Sequence, residues 1–184
     1  MIKYLDLLIS AFKNLKNSLI RFKVSSRLKK NNISISPQNQ MLDIYWDEKF
    51  REDLDYWGKD NVWIEIRYLL ADKKGKVLDI CCGTGGTIRE LKKFGDLNLF
   101  GFDISDYLIN SAINSGIDEK NLRVLDATNT NYQDNEFDFS YSIGSLEHFT
   151  IEGINAFLKE TRRITKKFPI IRYLQLKKKN LKDG

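Results

Sequence analysis

Residues 77–91, Val-Leu-Asp-Ile-Cys-Cys-Gly-Thr-Gly-Gly-Thr-Ile-Arg-Glu-Leu, constrain the fold more than any other stretch of the chain. An apolar run ends at Asp79, a glycine loop follows at Gly83, Gly85 and Gly86, and a helix-compatible segment starts at Thr87. Strand, glycine turn and helix in that order form the first unit of a nucleotide-binding α/β domain. Glycine is needed there because the backbone must turn sharply and let a ligand approach without a Cβ in the way. The loop does not fit a dinucleotide. The sixth position of G-x-G-x-x-G, counted from Gly83, is Ile88, too large for the close helix–strand packing which that pattern requires.

Three further strand-like runs follow in register. Leu97–Asp103 reads as a second buried strand that ends in an acid, Leu122–Ala127 as a third carrying Asp126, and Phe137–Ile143 as a fourth, followed by Gly144-Ser145-Leu146-Glu147-His148-Phe149. The acid ahead of the glycine loop, the acids ending the later strands and the Gly-x-x-Glu-His loop resemble class I S-adenosylmethionine (SAM)-dependent methyltransferases over about residues 60–165. Asp79, Gly83 and Gly85 match that family's first motif, whose first glycine position is here Cys81.

The resemblance implies a doubly wound, mostly parallel α/β sheet of strand order 3-2-1-4-5-7-6, and SAM as cofactor. It also implies roles for single residues. Asp103 would accept from both ribose hydroxyls, a task suited to an acceptor-only carboxylate. Asp126 would face the adenine amino group. Asp79, Gly83, Gly85, Ile104, Ala127 and Ser142 complete the implied cofactor-binding set. His148, the one histidine, falls just after the fourth strand, where open α/β sheets bind ligands, and is the candidate general base. The bland reading of Glu147 and His148 is that they order the loop before a helix starting near Thr150, with Ile151, Ile154, Phe157 and Leu158 facing inward. Family members that act on nucleobase amino groups carry Asn/Asp-Pro-Pro-Tyr/Phe after the fourth strand, where this chain has Ser142-Ile143-Gly144-Ser145. A nucleic-acid acceptor is therefore disfavoured, and a small-molecule, sugar or lipid-linked acceptor leads. Cys81 and Cys82 are adjacent and too few for a zinc cage, so no metal site is expected, and they read as packing residues beside the loop.

Charge divides the chain. Residues 1–30 hold eight bases and one acid, residues 162–184 nine and one, and residues 31–161 thirteen bases against twenty-three acids. The N-terminal stretch is also periodic. Leu5, Leu8, Phe12, Leu15, Leu19 and Phe22 recur at three- and four-residue steps, which puts them on one helical face, with Lys13, Asn14, Lys16, Asn17 and Arg21 around it. A basic amphipathic helix over 1–30 is expected, its first 24 residues suited either to a membrane surface or to packing on protein. The composition is otherwise that of a cytoplasmic chain, with the inner face of a membrane as the place such a helix would meet lipid. Residues 31–58 read as a linker and an aromatic-rich lid, with Tyr45, Trp46, Phe50, Tyr56 and Trp57, and residues 59–176 as the SAM-binding domain. Within the latter, Asp60 is a candidate N-cap for a helix through Leu70 that carries Trp63, Ile66 and Leu70 on one face, and Tyr68 belongs to the same aromatic group.

Residues 177–184 read as a basic tail. Ile170–Leu176 suits a fifth strand, after which no residues remain for a sixth and seventh, so a C-terminally truncated family member is expected. Its sheet edge would be open to self-association. The leading function is SAM-dependent methyl transfer. The alternative is a non-catalytic SAM-binding remnant or an interaction subunit.

Overall fold

The computed structural model describes residues 2–33, 39–40, 51–52, 54, 62–95, 97–167 and 169–172. Helix α1 (Ile2–Lys30) and helix α2 (Val62–Leu70) precede the sheet. Strand β1 (Lys76–Ile80), helix α3 (Gly86–Lys92), strand β2 (Asn98–Asp103), helix α4 (Asp106–Asn114), strand β3 (Leu122–Val124), strand β4 (Phe139–Ile143), helix α5 (Ile151–Ile164) and strand β5 (Ile170–Arg172) follow. The five strands pair in the order β3-β2-β1-β4-β5, every pair parallel, and so occupy the first five places of the expected order.

Strand β1 explains the layering. Val77, Leu78 and Ile80 are all fully buried, the pattern of a central parallel strand covered on both faces. Val77 joins Phe139 and Tyr141 beneath residues of α2, α3 and α4, including Ile66, Leu70, Ile88, Leu91, Ile109 and Ala112. Leu78 and Ile80 point the other way, to Phe102, Phe137 and, from α5, Phe157 and Ile164. Ile88 solves its own size problem. A Cβ at Gly101 of β2 would lie 2.7 Å from Ile88 Cδ1, so the close approach comes from a glycine in the strand rather than in the helix.

Helix α5 corrects one expectation. It starts near Thr150, as anticipated, and Thr150 is its N-cap, the side chain accepting from Gly153 N. Phe157 is buried and Ile154 partly so, but Ile151 and Leu158 are exposed. The helix turns instead to bury Gly153, Phe157, Glu160, Thr161 and Ile164. That rotation is fixed by Glu160, whose Oε1 accepts from Thr130 N (2.8 Å), Thr130 Oγ1 (2.6 Å) and Arg163 Nη2 (2.7 Å). Helix α2 keeps its expected inward face of Ile66 and Leu70. Its Trp63 stacks on Phe94, beyond the end of α3 remote from the glycine loop, and Tyr68 is exposed. Tyr45, Trp46, Phe50, Tyr56, Trp57 and the cap Asp60 lie outside the described residues, as do residues 173–184, which include the end of the expected fifth strand.

Burial alone would raise the Glu160 carboxyl, but hydrogen bonds from Arg163 and Thr130 outweigh it and hold the group below the ordinary glutamate range. A carboxyl depressed in the folded state adds stability above its unfolded value, near ~4.3, and that stability is lost as pH falls through the lower folded value. Glu160→Ala should cost about 2–3 kcal/mol at neutral pH, because Thr130 and Arg163 lose their acceptor. Chemical denaturation across the acid range should show a flatter dependence in the variant than in the wild type.

Candidate cofactor site

The C-terminal ends of β1, β2 and β3 bring three acids together. Asp79 lies in β1, Asp103 ends β2, and Asp126 follows β3, all with their side chains buried. Asp103 is the structural hub. Its Oδ2 accepts from Gly83 N (3.0 Å) in the glycine loop and its Oδ1 from Ser105 N (2.9 Å) at the start of α4. Burial pushes the Asp103 carboxyl up, while the backbone donors of Ser105, Gly83 and Ile104 work the other way. Burial drives Asp79 well above the carboxylate range. The Tyr141 hydroxyl opposes that rise, and the charge of Asp103 adds to it.

The glycine loop makes the sharp turn expected of it with left-handed backbone, φ 56° at Gly83 and 72° at Gly85. Cys81 shares it, at φ 60°, so the departure from glycine carries a backbone cost. Both cysteines are free thiols, and burial raises both well above the ordinary value. A Cβ on Gly83 would meet Leu54 Cδ1 at 3.2 Å, which places a residue of the lid segment against the loop.

The remaining implied residues take distinct places. Ser142 Oγ donates to Ile80 O (3.0 Å) and lies within hydrogen-bond distance of the Ser145 hydroxyl (2.9 Å), tying the end of β4 to the end of β1. Ala127 is buried in the cluster beneath α5, and Ile104 packs beside Leu54, Leu108 and the last turns of α1. His148 ends a short 3-10 turn, Leu146–His148, and burial lowers its imidazole below the ordinary value, leaving it neutral near pH 7. Burial raises the neighbouring Glu147 carboxyl, whose Oε2 is buried with no hydrogen-bond partner among the described residues.

One contributor escaped sequence reasoning. Gln40 Nε2 donates to Asp126 Oδ1 (2.6 Å), the oxygen that also accepts from Thr128 N and Thr128 Oγ1 (both 2.8 Å). Gln40 pairs with Phe149 in an isolated antiparallel bridge, and Thr150 N donates to Asn39 O (3.1 Å). Residues 39–40 thus cross the mouth of the site. Gly153 permits the crossing, since a Cβ there would sit 1.9 Å from Asn39 O. The signal available in the sequence was a glycine in the first turn of an otherwise good helix, which marks close approach by another element.

These features suit the cofactor implied by the family. Two strand-end carboxylates could accept from ribose and adenine donors, the acidic set favours a cation such as a sulfonium, and among the described residues the loop at Gly83 has a flexible leucine tip against it. Comparison with known proteins agrees. Residues 77–167 match the methyltransferase domain family. The chain is 35% identical to sterol 24-C-methyltransferase of Schizosaccharomyces pombe over 96 residues, covering 48% of this chain and 25% of that protein. It is 29% identical to an O-methyltransferase of Aspergillus nomiae over 110 residues, covering 56% and 49%. A SAM-dependent methyltransferase of Methanococcus maripaludis, described as putative, shares the fold at a TM-score of 0.58 and 20% identity, covering 75% of this chain and 67% of that one. Residues 77–167 therefore form a SAM-dependent methyltransferase domain of the class I fold, with SAM as the cofactor of that domain. The chain spans half or less of the length of these two curated relatives.

Asp103→Ala should weaken SAM binding by about 1.5–3 kcal/mol, the scale of hydrogen bonds to a charged group. The sequence alone suggests a variant otherwise intact. The bonds to Gly83 N and Ser105 N show that it should also lose stability. Calorimetric titration with thermal melts separates the two effects, and unchanged affinity would remove Asp103 from the site. Gly153→Ala should cost about 1–3 kcal/mol by overpacking against Asn39. It should also quicken proteolysis within residues 31–58, whereas Gln40→Ala should quicken proteolysis with little loss of stability.

Proposed function

We propose that this protein transfers a methyl group from SAM to a small-molecule, sugar or lipid-linked acceptor, working at the inner face of a membrane when the acceptor is lipid-linked. The observation that carries the reading is the convergence of Asp79, Asp103 and Asp126 around a left-handed glycine loop, with His148 on the adjoining strand end. The similarity to a sterol methyltransferase supports a lipid-class acceptor, and the similarity to an O-methyltransferase leaves the methylated atom open between carbon and oxygen.

When bound, SAM supplies a methyl group already activated on a sulfonium, so transfer is direct displacement at carbon, and the protein's share is alignment. Asp103 and Asp126 hold the nucleoside end, and the Gly83 loop admits it. Leu54 and Gln40 shield the site from water. The buried Glu147 Oε2 offers an acceptor hydroxyl or amine the hydrogen bond it lacks among the described residues. Where the nucleophile is a hydroxyl, its proton passes to a ring nitrogen of His148, which burial keeps in the free-base form at neutral pH.

Label transfer from methyl-labelled SAM to sterol, sugar and phospholipid-headgroup acceptors tests the reading, with label expected in one of these classes. His148→Asn should cut turnover by ~10²–10⁴ while SAM affinity holds. Wild-type turnover should rise with pH through a value below that of ordinary histidine and then level, since the base is available above its lowered pKa. Near-normal turnover in the variant, or an unchanged acid limb, would leave His148 only a structural part.

A further inference from the structure

Helix α1 has two opposed faces. On its last turns Val24 and Leu28 are 4% and 6% exposed and pack with Leu108, Tyr107, Ile104 and Leu54. Arg27 fixes the same contact through Asp106 (3.6 Å) and lies over the Tyr107 ring. The earlier apolar row, Leu5, Leu8, Phe12, Leu15, Leu19 and Phe22, is exposed throughout, Phe12 at 70% and Phe22 at 74%. At 3.6 residues per turn, this row lies about half a turn round the helix from Val24 and Leu28. The side that docks on the domain therefore turns the row away from it. Six large apolar side chains spread over ~25 Å of helix form a patch that soluble surfaces rarely leave uncovered.

We infer that this row inserts into the surface of a bilayer containing anionic phospholipid and attaches the domain to it. Charge selects the occupant. The helix holds eight bases and one acid, Asp6, and its exposed Lys16 and Lys23 border the row. Basic residues flanking a leucine- and phenylalanine-rich stripe suit lipid headgroups above and acyl chains below. A second copy of the helix is the rival occupant, because the row follows a three–four step. Paired helices choose partners through opposite charges along the seam. Here one acid cannot answer eight bases, and Leu7 and Ile9, also exposed, widen the apolar surface beyond a two-helix seam. Residues 31–161 carry twenty-three acids against thirteen bases, so attachment to an anionic surface falls to the helix rather than the body. The inference deepens the proposed lipid-linked reading by naming the surface at which such an acceptor would be met.

The test is cosedimentation of the full chain with vesicles of phosphatidylcholine, with and without phosphatidylglycerol. Binding is expected to the mixed vesicles, weakly to phosphatidylcholine alone, and to fall as salt is raised. Phe12→Ser with Leu15→Ser should cut the bound fraction about tenfold or more. Lys16→Glu with Lys23→Glu should weaken the preference for anionic vesicles, since both border the row. Both pairs are exposed, so thermal melting of the domain should not change. Wild-type chain that leaves mixed vesicles unbound overturns the inference. So does a concentration-dependent dimer that the Phe12/Leu15 variant dissolves while vesicle binding is absent, which would assign the row to a second copy. Binding is read without any acceptor. Attachment without lipid methylation overturns the lipid-acceptor reading alone, and methylation of a soluble acceptor without attachment overturns this inference alone.

Discussion

The buried carboxylate of Asp103 is the constraint on which the site rests. One oxygen takes the amide of Gly83 and the other the amide of Ser105, so a single side chain fastens the glycine loop to the start of the next helix. Cys82 N donates to Phe102 O one residue earlier, and the loop is stitched to the end of β2 at two successive positions. Burial penalises the charge at Asp103, and the backbone donors return part of that penalty. The loop therefore holds its shape by the protein's own hydrogen bonds, and the nucleoside proposed to bind there would meet a preformed cradle rather than having to build one.

The body of the fold was legible because its signals are local. Val77–Ile80 announces a doubly covered strand, the alternating glycines announce the turn, and Thr150 announces the helix that follows. What was not legible depends on contacts between distant segments. Gln40 reaches Asp126 across 86 residues with no periodicity to betray it. The inward face of α5 was misread because its apolar residues outvoted Glu160, yet Glu160 finds three donors and so belongs inside, while Ile151 and Leu158 do not. Ser142 shows another limit. Its place beside the cofactor loop followed from resemblance, but that its hydroxyl binds Ile80 O and Ser145 Oγ emerged only from the fold.

The two ends of α1 divide between different solvents. Val24 and Leu28 belong to the protein interior, and the residues before them present apolar surface outward. Among the described residues no helix is long and apolar enough to cross a membrane, so any lipid contact through α1 is a matter of lying on the surface. The acidic residues are concentrated in the body, where they also create the field around the strand ends. The same distribution that favours a cationic ligand in the site disfavours close approach of the body to anionic lipid.

The strand order has a consequence for how the chain reaches this state. Strand β1 lies between β2 and β4, and its Val77, Leu78 and Asp79 pair with Phe139, Ser140 and Tyr141, about sixty residues onward. During synthesis, β1 and β2 can pair as soon as both have emerged, but one edge of β1 stays bare until β4 arrives. The face bearing Leu78 and Ile80 waits longer still, for α5. The nascent domain thus passes through a stage in which its central strand is half-clad and adhesive, and the speed with which residues 139–164 follow sets how long it is open to wrong partners.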